Sequence, residues 1–279
     1  MREHAGVGPK TFQQLVVSFG SPVAVLKSKA GEISSLPRMS SVKEEKIRAA
    51  GDQLHTISRR LSDYFDRGIR LVTVLDDDYP PSLHELDDPP PLFYSRGDLD
   101  ALRRNCVAIV GSHEASSEGV AEAVRLGQEI ASTGTVVVSG MARGIDSAAH
   151  VGAIQTDGGT AAVLGCGFDD IYPSENAMLA ESICEHGVLV SEYRPETGVS
   201  TGRLLARNRI IVGLARSVIV VEVTSDSGGT AGAIREAHKQ GKSLFTCFDP
   251  NQEGIRTNKL GAIHLAAVDD WKMVLRYMV

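Results

Sequence analysis

From Val107 onward, short runs that are apolar throughout alternate with stretches of helical period. VAIV (107–110), TVVVSG (135–140), TAAVLG (160–165), VLVSE (188–192), SVIVVEV (217–223) and SLFTCF (243–248) read as strands. Between them the pattern predicts helices near 117–132, 146–156, 175–185 and 230–240, with a further helical start at 206–214. A strand with no polar alternate has no face for water. Such strands separated by helices therefore predict a parallel sheet covered on both sides, an α/β fold of the Rossmann-like doubly wound kind. The tail, IHLAAVDDWKMVLRYMV, reads as a closing helix that carries the single Trp.

The chain ahead of this region is organised differently. Residues 6–60 read as helical, cut by Gly6-Val7-Gly8-Pro9, Gly20-Ser21-Pro22 and Leu36-Pro37. Phe12, Leu15, Val16 and Phe19 fall on one apolar stripe. A small helical bundle that packs on the next domain, or a helix-hairpin-helix or SAM-like module offering hairpin amides to DNA phosphate, both fit this pattern. From Gly68 an apolar run, IRLVTVL (69–75), leads into DDDYPPSLHELDDPPPLFYSRGD (76–98), where clustered prolines forbid a long helix. The expected divisions are 1–67, small and helical; 68–104, a strand and Pro-rich connector packing on the main domain; and 105–279, Rossmann-like.

Composition narrows the function classes. At 279 residues and 42% hydrophobic, the chain is an ordinary globular one. Its net charge of -6 argues against a surface that binds polyanions everywhere, so any nucleic-acid site is local. The four cysteines stand far apart with no CxxC pair, which suggests neither a zinc site nor a disulfide framework. No metal or cofactor is expected. The start, MREHAGVGPK, lacks the apolar core of a signal peptide and no run is long enough to span a bilayer, so a cytoplasmic protein is expected.

The candidate chemistry lies in Gly- and Ser-rich turns that follow the strands, and in a doubly wound fold these converge on the carboxyl edge of the sheet. Such turns present backbone N–H groups to anions at helix N-termini. VGSHEAS (110–116) offers Gly111, Ser112 and His113; capping alone would also explain its serines. In SGMARGID (139–146), Ser139, Gly140 and Gly144 flank Arg143, a phosphate partner or else one half of a local pair with Asp146. LGCGFDDIYPSEN (164–176) supplies Gly165, Gly167, Asn176 and Tyr172, an aromatic suited to stacking on a base or to simple packing. In ARNRII (206–211), Arg207, Asn208 and Arg209 precede an apolar run, so the arginines must reach the strand-end edge or an acidic partner. TSDSGGTAG (224–232) adds Ser227, Gly228, Gly229 and Thr230, with Glu236 on the helix after it. A dinucleotide site is poorly matched, because G-x-G-x-x-G is incomplete, and no Ser-His-Asp order, HExxH or Walker A pattern is present.

SGMARGID followed by Ala149-His150, AVLGCGFDDIYPSEN, LVSEY (189–193) and RNRIIVGLARSVIVVE (207–222) resemble, in order and approximate spacing, the DNA processing protein A (DprA/Smf) family. The resemblance covers nearly the whole chain. It implies a single-stranded DNA-binding protein without enzymatic turnover. Such a protein acts as a homodimer that protects incoming DNA and loads the RecA recombinase onto it in natural transformation. Carried onto this sequence, the DNA pocket is expected at Gly111 and Ser112, Ser139 to Asp146, Gly165 to Gly167 with Tyr172 and Asn176, and Arg207 to Arg209. His113 stands where relatives commonly carry Arg or Lys, and SGGTAG departs from the family's usual turn. That turn partly resembles the PGGxGTxxE turn of LOG-type nucleoside-monophosphate phosphoribohydrolases, so a nucleotide-binding sensor or such an enzyme is the alternative expectation.

Overall fold

A computed structural model describes residues 5–156, 158–224, 228–248 and 261–277. Ser227 therefore lies outside the described residues. Helices α1 (Pro9–Phe19), α2 (Pro22–Leu26), α3 (Ser41–Asp52) and α4 (Leu54–Asp66) come first. Pro9 opens α1, where no N–H donor is needed, and Gly20 closes it in a left-handed conformation at φ 84°. Leu15 of the predicted stripe is fully buried with Val7, Val25, Ile33 and Ile47, and Phe12 and Phe19 pack against that cluster.

Glu44 of α3 holds this helical cluster together from within. Its carboxylate accepts from the N–H groups of Gly31 (2.8 Å) and Ser34 (3.0 Å) and from Arg48 (3.3 Å). The Ser34 side chain, opposed by burial and aided by these other donors, holds the carboxyl at about 2, well below its ordinary 4.5. A carboxyl depressed on folding stabilises the fold above its unfolded value and ceases to do so as pH falls. Acidification from pH 4.5 towards 2 should therefore loosen these helices. Glu44→Gln should be less stable at neutral pH and flat through that window, followed by far-ultraviolet circular dichroism; parallel acid profiles would contradict the assignment.

One nine-stranded sheet organises the remainder, in the order β1-β2-β6-β5-β4-β3-β7-β8-β9. The strands are β1 (Ile69–Thr73), β2 (Leu92–Gly97), β3 (Cys106–Val110), β4 (Val136–Ser139), β5 (Thr160–Leu164), β6 (Gly187–Ser191), β7 (Ser217–Val220), β8 (Ser243–Thr246) and β9 (Ile263–His264). From β6 across to β9 every pairing is parallel. Helices α6 (Ser117–Ala131), α7 (Ile145–Ala153), α8 (Ala177–His186), α9 (Thr201–Ala206), α10 (Asn208–Leu214), α11 (Gly229–Lys239) and α12 (Trp271–Arg276) connect and cover the strands. Each predicted apolar run from 107 to 248 contains a strand. Val107, Ile109 and Val137 face one side with α6, α7 and α12, while Ala108, Val136 and Val138 face the other with α10 and α11.

The 68–104 segment, expected as a strand and a Pro-rich connector packing on the main domain, contributes two strands to the sheet. It supplies β1, a short helix α5 (Pro81–His84) and β2, and β2 pairs antiparallel with β6, setting Tyr94 opposite Ser191 and Arg96 opposite Leu189. The physical reason is the edge of β6, which β2 covers by pairing; Val188 and Val190 of β6 lie fully buried in one core cluster with Phe93 of β2. Phe93 and Tyr94 of β2 are themselves 0% and 3% exposed.

Candidate nucleic-acid interface

Strand order reverses at β3: β4, β5 and β6 lie on one side, β7, β8 and β9 on the other. At such a switch point the connections leave in opposite directions and a crevice opens beyond the carboxyl ends. Here it encloses about 290 Å³ and is lined by the turns after β3 and β4, by Tyr172 and Pro173, by α9 and α10, and by the start of α11.

Its floor is a buried ion pair. Arg207, 7% exposed at its side chain, lies 3.6 Å from Asp146, donates to the Val163 carbonyl at 2.8 Å and to the Leu204 carbonyl at 3.2 Å. Gly140 is required here because a Cβ would overlap the Arg207 guanidinium. Burial pushes the Asp146 carboxyl up, and the charge of Arg207 with the N–H groups of Ala142 and Gly140 pulls it back; burial likewise pushes Arg207 down, opposed by Asp146. One turn along α7, His150 is fully buried, and burial followed by the Arg207 charge holds its imidazole down to about 3. Its Nδ1 lies 2.7 Å from the Thr160 hydroxyl, which itself donates to the Val137 carbonyl, so Nδ1 carries the proton of a neutral ring.

The walls differ from the floor. On one side Arg143, half exposed, pairs with Glu175, and Tyr172 is 41% exposed at the lip. Gly228, Gly229 and Thr230 bring the N-terminus of α11 to the crevice as well, with Gly228 at φ 89° and no side chain capping the helix. Thr230 is held by donating to the Gly111 carbonyl at 2.7 Å, and Asn208 by donating to the Gly229 carbonyl at 2.8 Å. Thr201, Leu204 and Leu205 of α9 complete the lining and make it mainly apolar.

The structure thus brings Gly111, His113, Gly140, Arg143, Asp146 and Tyr172 to one crevice with Arg207, Asn208, Gly228, Gly229 and Thr230. His113 stands at its margin, largely exposed, with Glu114 at 3.7 Å. Other sequence candidates serve as frame. Ser112 lies 2.7 Å from the Thr224 hydroxyl and joins β3 to the end of β7, while the Ser139 hydroxyl donates to the Ile109 carbonyl at 2.6 Å. A Cβ at Gly144 would strike the Ser112 carbonyl, at Gly165 it would meet Leu204, and at Gly167 it would strike the carbonyls of Arg194 and Pro195. Asn176 donates to the Met141 carbonyl at 2.9 Å and to the Ser147 hydroxyl at 2.8 Å.

Arg209 points away from the crevice. It pairs with Glu192 at 2.6 Å and Asp88 at 3.6 Å and donates to the Asp88 carbonyl. Of the two outcomes expected for this arginine it takes the acidic partner. Glu236 is likewise outside the lining, 3.8 Å from Lys239 and accepting from Gln240. Residues that sequence reasoning did not single out are Leu204 and Leu205, Glu175, and Glu222, whose carboxylate accepts from the Ser116 backbone N–H and hydroxyl at the start of α6. Leu204-Leu205 ahead of ARNRII was the available signal for α9, since an apolar pair beside arginines suits a ligand wall.

A family model, DNA recombination-mediator protein A, matches residues 70–268. The chain belongs to this family. DNA processing protein DprA of Bacillus subtilis (strain 168) is 34% identical over 265 residues, which cover 90% of this chain and 89% of the relative. Among solved structures, the X-ray structure of DNA processing protein A from Streptococcus pneumoniae superposes with a TM-score of 0.82 at 29% identity. It covers 97% of this chain and 94% of that one. A structure of DNA processing protein A from Helicobacter pylori, determined for its single-stranded DNA binding mode, matches with a TM-score of 0.66 at 29% identity. It covers 74% of this chain and 96% of that one. The family match begins at Arg70, within β1, so it takes in the antiparallel strands together with the parallel block.

Proposed function

We propose that this protein binds single-stranded DNA in the strand-end crevice, protects incoming strands and loads the RecA recombinase onto them during natural transformation, acting as a cytoplasmic homodimer without catalytic turnover. The observation that carries the reading is the crevice lining, which an exposed aromatic, Tyr172, and an apolar side chain, Leu205, share with Gly228 and Gly229 at a helix N-terminus. Unpaired bases present their faces to such an apolar surface while backbone phosphate meets the N–H groups. Paired bases in a duplex are stacked inside it and cannot reach a crevice of this size. Membership of the DNA recombination-mediator family and the single-stranded DNA binding mode of the Helicobacter pylori relative support the same reading. RecA loading and dimer formation rest on the family resemblance.

Fluorescence-anisotropy titration with matched single-stranded and duplex oligonucleotides, at two salt concentrations, tests it. Tighter binding of the single strand, weakening as salt rises, is the expected result. Equal or tighter duplex binding would overturn the proposal.

A further inference from the structure

The exposed cation of the crevice is already engaged by the protein. Arg143 Nε donates to the Glu175 carboxylate, and the two side chains are 54% and 49% exposed. Each is the leading influence on the other: Glu175 raises the Arg143 pKa, with Tyr172 adding in the same direction, and Arg143 lowers that of Glu175. The backbone sets this meeting. Glu175 lies in a 3-10 turn (Ser174–Asn176) next to Tyr172 and Pro173, and Asn176 fastens that turn to the Met141 carbonyl and the Ser147 hydroxyl. Met141, two residues before Arg143, is fully buried in the left-handed region at φ 61°. The loop and the turn are thereby joined, and the carboxylate is delivered to the guanidinium.

A carboxylate and a phosphodiester offer a guanidinium the same thing, two anionic oxygens in a plane that its fork can grip. We propose that Glu175 is a built-in stand-in for a DNA phosphate: it keeps Arg143 in a phosphate-binding pose, and a strand phosphate displaces it. This rests on the single-stranded DNA reading above. Exchange of one anion for another gains little, so an isolated phosphate competes poorly with Glu175. A strand that also stacks on Tyr172 and reaches the N-terminus of α11 gains those contacts as well. Glu175 therefore screens Arg143 from every anion alike, and only a ligand with further contacts in the crevice has affinity to spare for displacing it.

The test is a double-mutant cycle titrated with single-stranded oligothymidylate at several salt concentrations, folding being checked by thermal melting. Glu175→Gln should bind tighter by about 1.5- to fivefold, the range set by releasing an exposed ion pair. Its log K should fall more steeply with log salt by about 0.7, because Arg143 then has only the phosphate to neutralise it. In the Arg143→Ala background the same substitution should change nothing, and Glu175→Asp, which keeps the charge, should bind no tighter than the native chain. Inorganic phosphate, which meets the same competition at Arg143, should bind the Gln variant tighter than the native chain by a similar factor, read from its effect on thermal melting. An unchanged or weakened Gln variant overturns the proposal, as does an equal gain without Arg143 or an unchanged affinity for phosphate. Absence of binding by the native chain would remove the DNA reading itself, and this inference with it.

Discussion

Arg207→Ala is expected to lose about 3–5 kcal/mol of folding stability, the usual consequence of leaving one member of a buried ion pair without its partner. The guanidinium is enclosed, neutralises Asp146, satisfies the Val163 and Leu204 carbonyls, and fills the space against Gly140. Its removal strands a carboxylate whose pKa burial has already raised. An acid held above its unfolded value favours folding in its protonated form, so that contribution is present at low pH and lost as pH rises through the folded value. The deficit of the variant should accordingly be largest near neutrality and shrink on acidification. Asp146→Asn in the same chain should recover part of it, since a neutral amide is far cheaper to bury than an unpaired charge. Urea unfolding across a pH series measures all three. A variant as stable as the native chain would show that Arg207 is a surface phosphate contact and not part of the frame.

A fragment beginning at Gly68 should fold and remain soluble, whereas one beginning at Asp98 should aggregate. The second lacks β1 and β2, which leaves β6 as a bare edge with Val188 and Val190 exposed beside it. It also forfeits the burial of Phe93, worth about 1.5–3 kcal/mol for a side chain of that size. The first fragment keeps the whole sheet and loses from the α4 contact chiefly Tyr64, which packs edge-on against Tyr94 with ring centroids 5.8 Å apart and donates to Glu196 at 2.6 Å. Circular dichroism and size-exclusion chromatography distinguish the two. A monodisperse, cooperatively melting fragment from Asp98 would show that β2 is dispensable.

The parallel block was legible because its strands, such as Val107–Val110 and Val136–Val138, are apolar on both faces and leave no other arrangement. The incorporation of β2 was not. LFYSRG mixes apolar and polar positions, follows three prolines, and gains its place from β6, which lies about ninety residues later in the sequence. The turns that meet at the crevice were readable from Gly111, Gly140, Gly228 and Gly229, since each follows a strand. Which arginine would be enclosed was a different matter. Arg207 and Arg209 are adjacent in character and two residues apart, yet helical geometry turns one toward Asp146 and the other toward Glu192 and Asp88. All three acidic partners come from other parts of the fold, so no local spacing announced them.

Enclosure of the Arg207–Asp146 pair also divides the crevice into two electrical compartments. Dissolved ions reach Arg143 and Glu175 at the lip but not the floor, where side-chain exposures are 7% and 8%. Ionic strength should therefore regulate how the lip exchanges anions without altering the scaffold that presents it. Changes in salt would be felt by the strand and not by the fold.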